Sequence, residues 1–215
     1  MKSPRISIAI LAMGGEGGGV LSDWLVDLAE HHGYIAQATS VPGVAQRTGA
    51  TLYYLELYPK AHIPAEQPPV LALLPFPGQV DLVIASELME AGRALQRGLV
   101  HPERTTLVAS THRFYSMTEK TAMADGRVNP DDLIQGARKA ARQFVSNNFQ
   151  ELSERFGAPI GPALLGAVAA SACLPFGREQ FEATIERSGM GVKASLRAFA
   201  AAFEAAQKGP SGSGI

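Results

Sequence analysis

Residues 6–19 read Ile6-Ser7-Ile8-Ala9-Ile10-Leu11-Ala12-Met13-Gly14-Gly15-Glu16-Gly17-Gly18-Gly19, an apolar run that leads directly into a run of glycines. The apolar part is short and rich in β-branched residues, which is typical of a buried, central parallel strand. Beyond the glycines, apolar residues recur at helical spacing as far as Gly33, which favours a helix that ends there. Residues 34–41 predict a second strand. The first forty residues therefore predict a βαβ unit.

Three further segments, residues 50–58, 80–85 and 105–110, have the composition of strands. A helical pattern covers residues 87–97, and Ser86 followed by Glu87 is interpreted as its cap and its first acid. Frequent prolines between residues 59 and 77 indicate an extended connection. The alternation predicts an α/β fold with a Rossmann-like, open, mostly parallel sheet flanked by helices.

The pattern becomes helical after residue 128. A start signal at Asn129-Pro130-Asp131-Asp132 predicts one long amphipathic helix to about Phe156, with Asn147-Asn148 inside it. Residues 162–172, 177–185 and 191–207 predict three more helices. We therefore expect a single domain at residues 1–208, with a sheet-forming part at 1–128 and a helical part at 129–208. Glycine and serine predict a flexible tail at residues 209–215, or equally the start of a linker to a further domain.

Composition excludes several classes of function. The chain of 215 residues has a formal net charge of -1, whereas a nucleic-acid partner requires clustered lysine and arginine. Its one cysteine, Cys173, cannot by itself hold an iron–sulfur cluster, a structural zinc ion or an internal disulfide. The apolar run at residues 6–13 is too short to span a membrane. We expect a cytoplasmic chain that binds neither nucleic acid nor membrane.

The glycine turn, residues 14–19, has two interpretations. Backbone N–H groups of such a turn can bind a phosphate at the start of the helix, or the glycines can simply allow a tight turn and close packing of helix on strand. The run does not fit the dinucleotide pattern Gly-x-Gly-x-x-Gly, and no acid ends the second strand. Glu16 would repel a phosphate unless its side chain points away. The candidate residues here are Gly14, Gly15, Glu16, Gly17 and Gly18.

A polar loop follows the second strand, at the edge where ligands and partners meet in open parallel sheets. It reads Val41-Pro42-Gly43-Val44-Ala45-Gln46-Arg47-Thr48-Gly49. The guanidinium of Arg47 offers a rigid fork of donors for a carboxylate, a phosphate or a partner's carbonyls. Gln46 and Thr48 add hydrogen-bonding groups, and Gly49 closes the loop. The alternative is an ordinary solvated loop.

Together the glycine turn and this loop resemble the two motifs of the gamma domain of 2-oxoacid:ferredoxin oxidoreductases. The sequence Ala45-Gln46-Arg47, followed by Thr48-Gly49, is most similar to the corresponding motif in the beta subunit of indolepyruvate oxidoreductases. Leu164-Leu165-Gly166-Ala167, followed by Leu174-Pro175, resembles the helical end of the family. The likeness extends to about Gln207. Glu16 stands where the family commonly has Gln, and Thr48 where it commonly has Gly.

The resemblance implies a subunit of an enzyme that converts an aryl 2-oxo acid, CoA and oxidised ferredoxin to an acyl-CoA, CO2 and reduced ferredoxin. Thiamine diphosphate, iron–sulfur clusters and CoA are then expected in the complex, mainly on a larger partner subunit, and electrons pass on to ferredoxin. This chain is expected to bind no cofactor or metal alone and to supply no catalytic residue. The alternative is a stand-alone Rossmann-like protein that binds CoA or another phosphorylated ligand.

The histidines give no metal-binding pattern. His31-His32 ends the first helix, where cations are favourable, and no His/Glu pair has the spacing of a zinc hydrolase. Ser110-Thr111-His112-Arg113 follows a strand and either contacts a ligand or forms a solvated loop. The absence of a Gly-x-Ser-x-Gly motif argues against a hydrolase.

Overall fold

The computed structural model describes residues 4–42, 50–63, 69–113 and 129–209. These ranges contain one sheet whose six strands are β1 (Ile6–Ala12), β2 (Tyr34–Pro42), β3 (Thr51–Pro59), β4 (Leu82–Ala85), β5 (Thr106–Ser110) and β6 (Gln143–Asn147). The helices are α1 (Gly18–His31), α2 (Leu88–Gln96), α3 (Pro130–Ala140), α4 (Phe149–Glu154), α5 (Ile160–Ser171), α6 (Arg178–Ser188) and α7 (Val192–Gln207), and a 3-10 turn covers Lys60–His62.

The strand order is β2-β3-β1-β4-β5-β6. All neighbouring pairs are parallel except those of β3, which runs antiparallel to both β1 and β2. The predicted open, mostly parallel α/β sheet is therefore confirmed. The strands β1 and β2 of the predicted βαβ unit are parallel but not neighbours, because β3 returns between them.

Strand β1 is buried on both faces, as its continuous apolar sequence predicts. Ile8 and Ile10 belong to the larger core cluster, with residues of α1, α5, α6 and α7, whereas Ala9 and Leu11 face the cluster that includes Leu99 and residues of α2 and α3. The sheet thus lies between two helical layers, which is the usual way to cover a parallel sheet.

The prediction of one long helix from Asn129 to Phe156 is wrong. Helix α3 begins where expected, with the Asn129 side chain accepting a hydrogen bond from the backbone N–H of Asp131, but it ends at Ala140. Strand β6 follows, pairs with β5 and forms an edge of the sheet. The pairing supplies backbone hydrogen bonds that override local helical preference. Asn147 therefore ends a strand, and Asn148 caps α4 by accepting from the N–H of Glu151.

The three predicted C-terminal helices correspond to α5, α6 and α7. Helix α5 is apolar on nearly all sides and is buried along most of its length, as its small residues predict. None of the helices in the described ranges combines the length and apolarity needed to cross a bilayer. Nearly all of the predicted tail lies outside the described residues.

Candidate functional site

The glycine turn joins the end of β1 to the start of α1. Gly15 and Gly17 have φ values of 88° and 71°, in the left-handed region that favours glycine, and a Cβ at either position would meet no atom within 4 Å. These two glycines are therefore required by the path of the backbone, not by a lack of space. The N–H of Glu16 closes the turn on the carbonyl of Met13 at 3.1 Å.

Gly18, in contrast, is required by close packing. A Cβ at this position would lie 2.6 Å from the Cβ of Ala12 and 2.7 Å from the ring of Tyr53. Helix α1 therefore starts in direct contact with the ends of β1 and β3. This geometry supports the packing interpretation of the glycines; binding of an anion by the turn stays a prediction.

The carboxylate of Glu16 is turned back into the fold. Its Oε2 accepts hydrogen bonds from the N–H of Met13 at 3.1 Å and from the hydroxyl of Ser86, which follows β4. Its Oε1 lies 3.2 Å from Nε2 of His112, and only 8% of the Glu16 side chain is exposed. Three groups from separate parts of the chain thus hold this carboxylate.

His112 continues the network to the next strand and helix. Its Nδ1 lies 2.8 Å from Oγ of Ser110, which also accepts a hydrogen bond from the N–H of Phe149 at 3.0 Å. The Ser110 hydroxyl can then donate to Nδ1, and the Nε2 side of the ring faces the carboxylate of Glu16. We call Glu16, Ser86, Ser110 and His112 the turn network. It joins the glycine turn to the carboxyl ends of β4 and β5 and to the start of α4.

Two sequence-based interpretations of these residues are wrong. Ser86 does not cap α2; instead, the side chain of Glu87 caps it by accepting from the N–H of Glu90 at 3.0 Å. Ser110 and His112 are not part of a solvated loop, since Ser110 is fully buried and 11% of the His112 side chain is exposed. Their position directly after parallel strands was the signal for a role at this edge. Full burial also excludes Ser110 as a nucleophile.

A cleft of about 330 Å³ opens beside the turn. We call it the turn cleft, and its described lining residues are Met13, Gly14, Gly15, Glu16, Gln150, Pro159 and Ile160. Among these, Glu16 is the one charged residue, so the described wall offers no cation to a phosphate. The volume lies at the lower end of the range for small-molecule pockets.

Two more carboxylates are buried near this edge, at the start of α2. Glu87 and Glu90 are 2% and 1% exposed. Burial raises the pKa of the Glu87 carboxyl, and the carboxylates of Glu90 and Glu16 raise it further. Burial also raises the pKa of Glu90, against the opposing charges of Arg93 and Arg97. Among the described residues, the buried Oε2 atom of Glu87 has no hydrogen-bond partner.

The predicted residues Gln46, Arg47, Thr48 and Gly49 lie outside the described residues. The strand positions that flank their loop are described. Pro42, the last residue of β2, pairs with Thr51, the first residue of β3, and Thr51 pairs with Ala12 at the end of β1. The loop therefore leaves and re-enters the sheet at the edge that carries the glycine turn. Within the described ranges, no cluster of three or more His, Cys, Asp or Glu residues is arranged to hold a metal ion.

A family model described as pyruvate ferredoxin/flavodoxin oxidoreductase matches residues 7–205. The chain belongs to this family. The match spans β1 to α7, so membership of the pyruvate ferredoxin/flavodoxin oxidoreductase family concerns the whole fold described above and not one motif. None of the curated proteins matches the chain in sequence.

Solved structures with a similar fold include the following three. The pyruvate oxidoreductase subunit PORC of Thermotoga maritima is 17% identical, with a TM-score of 0.62 over 94% of this chain and 97% of that one. The keto/oxoacid ferredoxin oxidoreductase gamma subunit of Geobacter sulfurreducens is 16% identical, with a TM-score of 0.59 over 95% of this chain and 98% of that one. The 2-oxoglutarate:ferredoxin oxidoreductase of Magnetococcus marinus, solved with 2-oxoglutarate, coenzyme A and succinyl-CoA, is 11% identical, with a TM-score of 0.65. The match covers 96% of this chain and 32% of that longer polypeptide.

The predicted resemblance is thus confirmed at the level of the pyruvate ferredoxin/flavodoxin oxidoreductase family. Similarity to solved structures at these identities establishes the fold. The closer likeness to indolepyruvate enzymes stays a prediction.

Alanine substitutions at the start of α1 test the packing role of Gly18. We expect Gly18→Ala to lower the free energy of unfolding by about 1–3 kcal/mol, because α1 must move away from Ala12. Gly19→Ala is the matched control, since its Cβ would lie an ordinary 3.6 Å from the hydroxyl oxygen of Tyr53. Denaturant unfolding measures both variants. Equal stability of the two would contradict the packing role of Gly18.

Glu87→Gln is expected to stabilise the protein at pH 7 by about 1 kcal/mol. The pKa of Glu87 is higher in the folded protein than its ordinary value of 4.5. Between pH 4.5 and the folded pKa, the folded state therefore binds more protons than the unfolded state. The free energy of unfolding of the wild type falls as pH rises through this range. The glutamine does not titrate, so its advantage should vanish below pH 4.5. Glu179→Gln, an exposed acid in the first turn of α6, is the control. A gain independent of pH would refute the assignment.

Proposed function

We propose that the chain is the gamma-type, non-thiamine subunit of an indolepyruvate-type 2-oxoacid:ferredoxin oxidoreductase. The observation that carries the proposal is the meeting of the glycine turn and the flanks of the 43–49 loop at one sheet edge, in a chain whose family match spans residues 7–205. The similar fold of the PORC subunit from Thermotoga maritima and of the gamma subunit from Geobacter sulfurreducens supports a subunit role for this chain. The sequence of the loop around Arg47 supports the aryl substrate.

The donor groups of this chain do not fit the redox cofactors of such an enzyme. Cys173 is its single thiol, whereas an iron–sulfur cluster takes about four cysteine ligands. Burial also raises the pKa of the Cys173 thiol, which disfavours a role as a nucleophile. We therefore assign thiamine diphosphate and the clusters to a larger partner subunit, from which electrons pass to ferredoxin in the cytoplasm.

In this proposal the chain contributes a shaped wall. The turn network fixes the glycine turn from three sides, and Gln150, Pro159 and Ile160 line the cleft beside it. Such a wall excludes water and positions a neutral or apolar part of a substrate. The alternative, a stand-alone binding protein for CoA or another phosphorylated ligand, has less support because the described lining of the turn cleft offers no lysine or arginine to a phosphate.

The test is reconstitution with a thiamine-type oxidoreductase subunit from the source organism of this chain. We expect no turnover by the chain alone, and ferredoxin reduction by the complex with higher kcat/KM for indolepyruvate than for pyruvate or 2-oxoglutarate. Arg47→Ala should lower kcat/KM about tenfold or more, because loss of positioning has effects of this size. Arg138→Ala, an exposed arginine of α3, is the control and should change nothing. A preference for pyruvate would reject the aryl substrate, and tight CoA binding by the chain alone would favour the alternative.

A further inference from the structure

An unusually apolar segment lies on the surface between the 3-10 turn and β4. We call residues 69–77 the apolar ridge. Its exposed side chains are Val70, Leu73, Leu74 and Phe76, with exposed fractions of 98%, 66%, 54% and 70%. No charged residue occurs from Pro69 to Val80. Contiguous exposed apolar side chains of this kind mark interaction surfaces in soluble proteins, because water solvates them poorly.

The backbone of the ridge is fixed to the sheet. The N–H of Ala72 donates to Oε2 of Glu56 at 2.7 Å, and the carbonyl of Ala72 accepts from the Gln37 side chain at 3.3 Å. The Thr39 hydroxyl donates to the carbonyl of Leu73 at 2.7 Å. The apolar side chains are therefore held outward by a positioned backbone, which reduces the entropy lost when a partner binds.

A buried carboxylate maintains this attachment. Glu56 on β3 is fully buried, and besides Ala72 it binds the hydroxyl of Tyr54 at 2.5 Å and the guanidinium of Arg5 at 2.9 Å. Burying a carboxylate is costly unless its oxygens are paired, as they are here. The fold thus uses a buried charge to hold this apolar segment at the surface, with Ala72 packed against the core cluster that includes Leu99.

We propose that the apolar ridge is a docking surface for the larger, thiamine-bearing oxidoreductase subunit, a proposal that rests on the proposed function. Four side chains cannot supply the roughly 800 Å² per partner of a stable interface, so the occupant extends beyond the ridge. Strand β2 leads from the ridge contacts at Gln37 and Thr39 to Pro42 at the glycine-turn edge, and in the described sheet it pairs with β3 alone. One large partner can cover both regions. The absence of charge on the ridge requires an apolar face on that partner.

The experiment compares Leu73→Asp and Phe76→Asp with Met190→Asp in the full chain. Met190 is 66% exposed and lies between α6 and α7, so it introduces the same charge at a matched exposed position. Binding to the purified thiamine-type subunit is measured by titration calorimetry, and the ridge is followed by hydrogen exchange with and without that subunit. We expect each ridge variant to weaken binding about tenfold or more, Met190→Asp to bind within about twofold of the wild type, and residues 69–77 to gain protection.

The outcomes separate this proposal from the proposed function. An active complex in which the ridge variants bind normally and residues 69–77 gain no protection overturns the docking surface and leaves the function intact. Failure of any thiamine-type subunit to bind overturns both. A dimer of the isolated chain, seen by analytical ultracentrifugation and dissociated by Phe76→Asp, overturns the proposal by making a second copy the occupant. Unchanged unfolding midpoints for the variants show that a loss of binding is not a loss of fold.

Discussion

Gly166→Ala is expected to lower the free energy of unfolding by about 3 kcal/mol or more and to prevent folding if the wild type is no more stable than that. A Cβ on Gly166 in α5 would lie 2.3 Å from the carbonyl oxygen of Phe199 and 3.0 Å from its carbonyl carbon. These are backbone atoms of α7, so no change of side-chain rotamer relieves the clash. Helix α7 would have to move outward and open the core around Phe199, which is fully buried.

Chemical denaturation of the purified variant measures this effect, and the yield of folded protein is a second readout. Gly136→Ala in α3 is the control, because a Cβ there meets no atom within 4 Å. Removing a helical glycine without a clash should stabilise the protein by up to about 1 kcal/mol. If both variants unfold at the same denaturant concentration, α5 and α7 do not approach as closely as described.

Glu56→Ala is the second large effect, with an expected loss of about 3–5 kcal/mol. The substitution leaves the guanidinium of Arg5, the hydroxyl of Tyr54 and the N–H of Ala72 without their common acceptor. Burial, together with the Glu56 carboxylate, raises the pKa of Tyr54 above its usual range, so the phenol remains a donor at all working pH values. The loss should therefore be nearly independent of pH between 6 and 9.

Two comparisons define the origin of that loss. Tyr54→Phe removes one donor and should cost about 1 kcal/mol, whereas Glu204→Ala, at an exposed position of α7, should stay within about 0.5 kcal/mol of the wild type. Glu56→Ala should also speed hydrogen exchange at Ala72 selectively at low denaturant, because the ridge is released first. A stable Glu56→Ala protein with normal protection of Ala72 would show that the carboxylate does not anchor the ridge.

The candidate site shows which of its features local sequence patterns predict and which they do not. The position of the glycine turn, between a buried strand and a helix, followed from the apolar run and the helical spacing that flank it. The role of Glu16 did not follow, because its partners Ser86 and His112 lie 70 and 96 residues away along the chain. From the sequence alone, a carboxylate in a glycine turn is expected to repel an anion. The fold shows that this carboxylate faces inward and is held by a hydroxyl and an imidazole.

The sequence by itself determined the α/β class, the central position of β1, the glycine turn and the three C-terminal helices, because hydrophobic periodicity and helix signals act over a few neighbouring residues. Tertiary structure decided that β3 separates β1 from β2 and that residues 143–147 form an edge strand. It also decided that Glu56 holds the backbone of the apolar ridge by accepting a hydrogen bond from the N–H of Ala72. The energy of these features comes from strand pairing and buried polar contacts between distant segments, and such contacts exist only once the chain has folded.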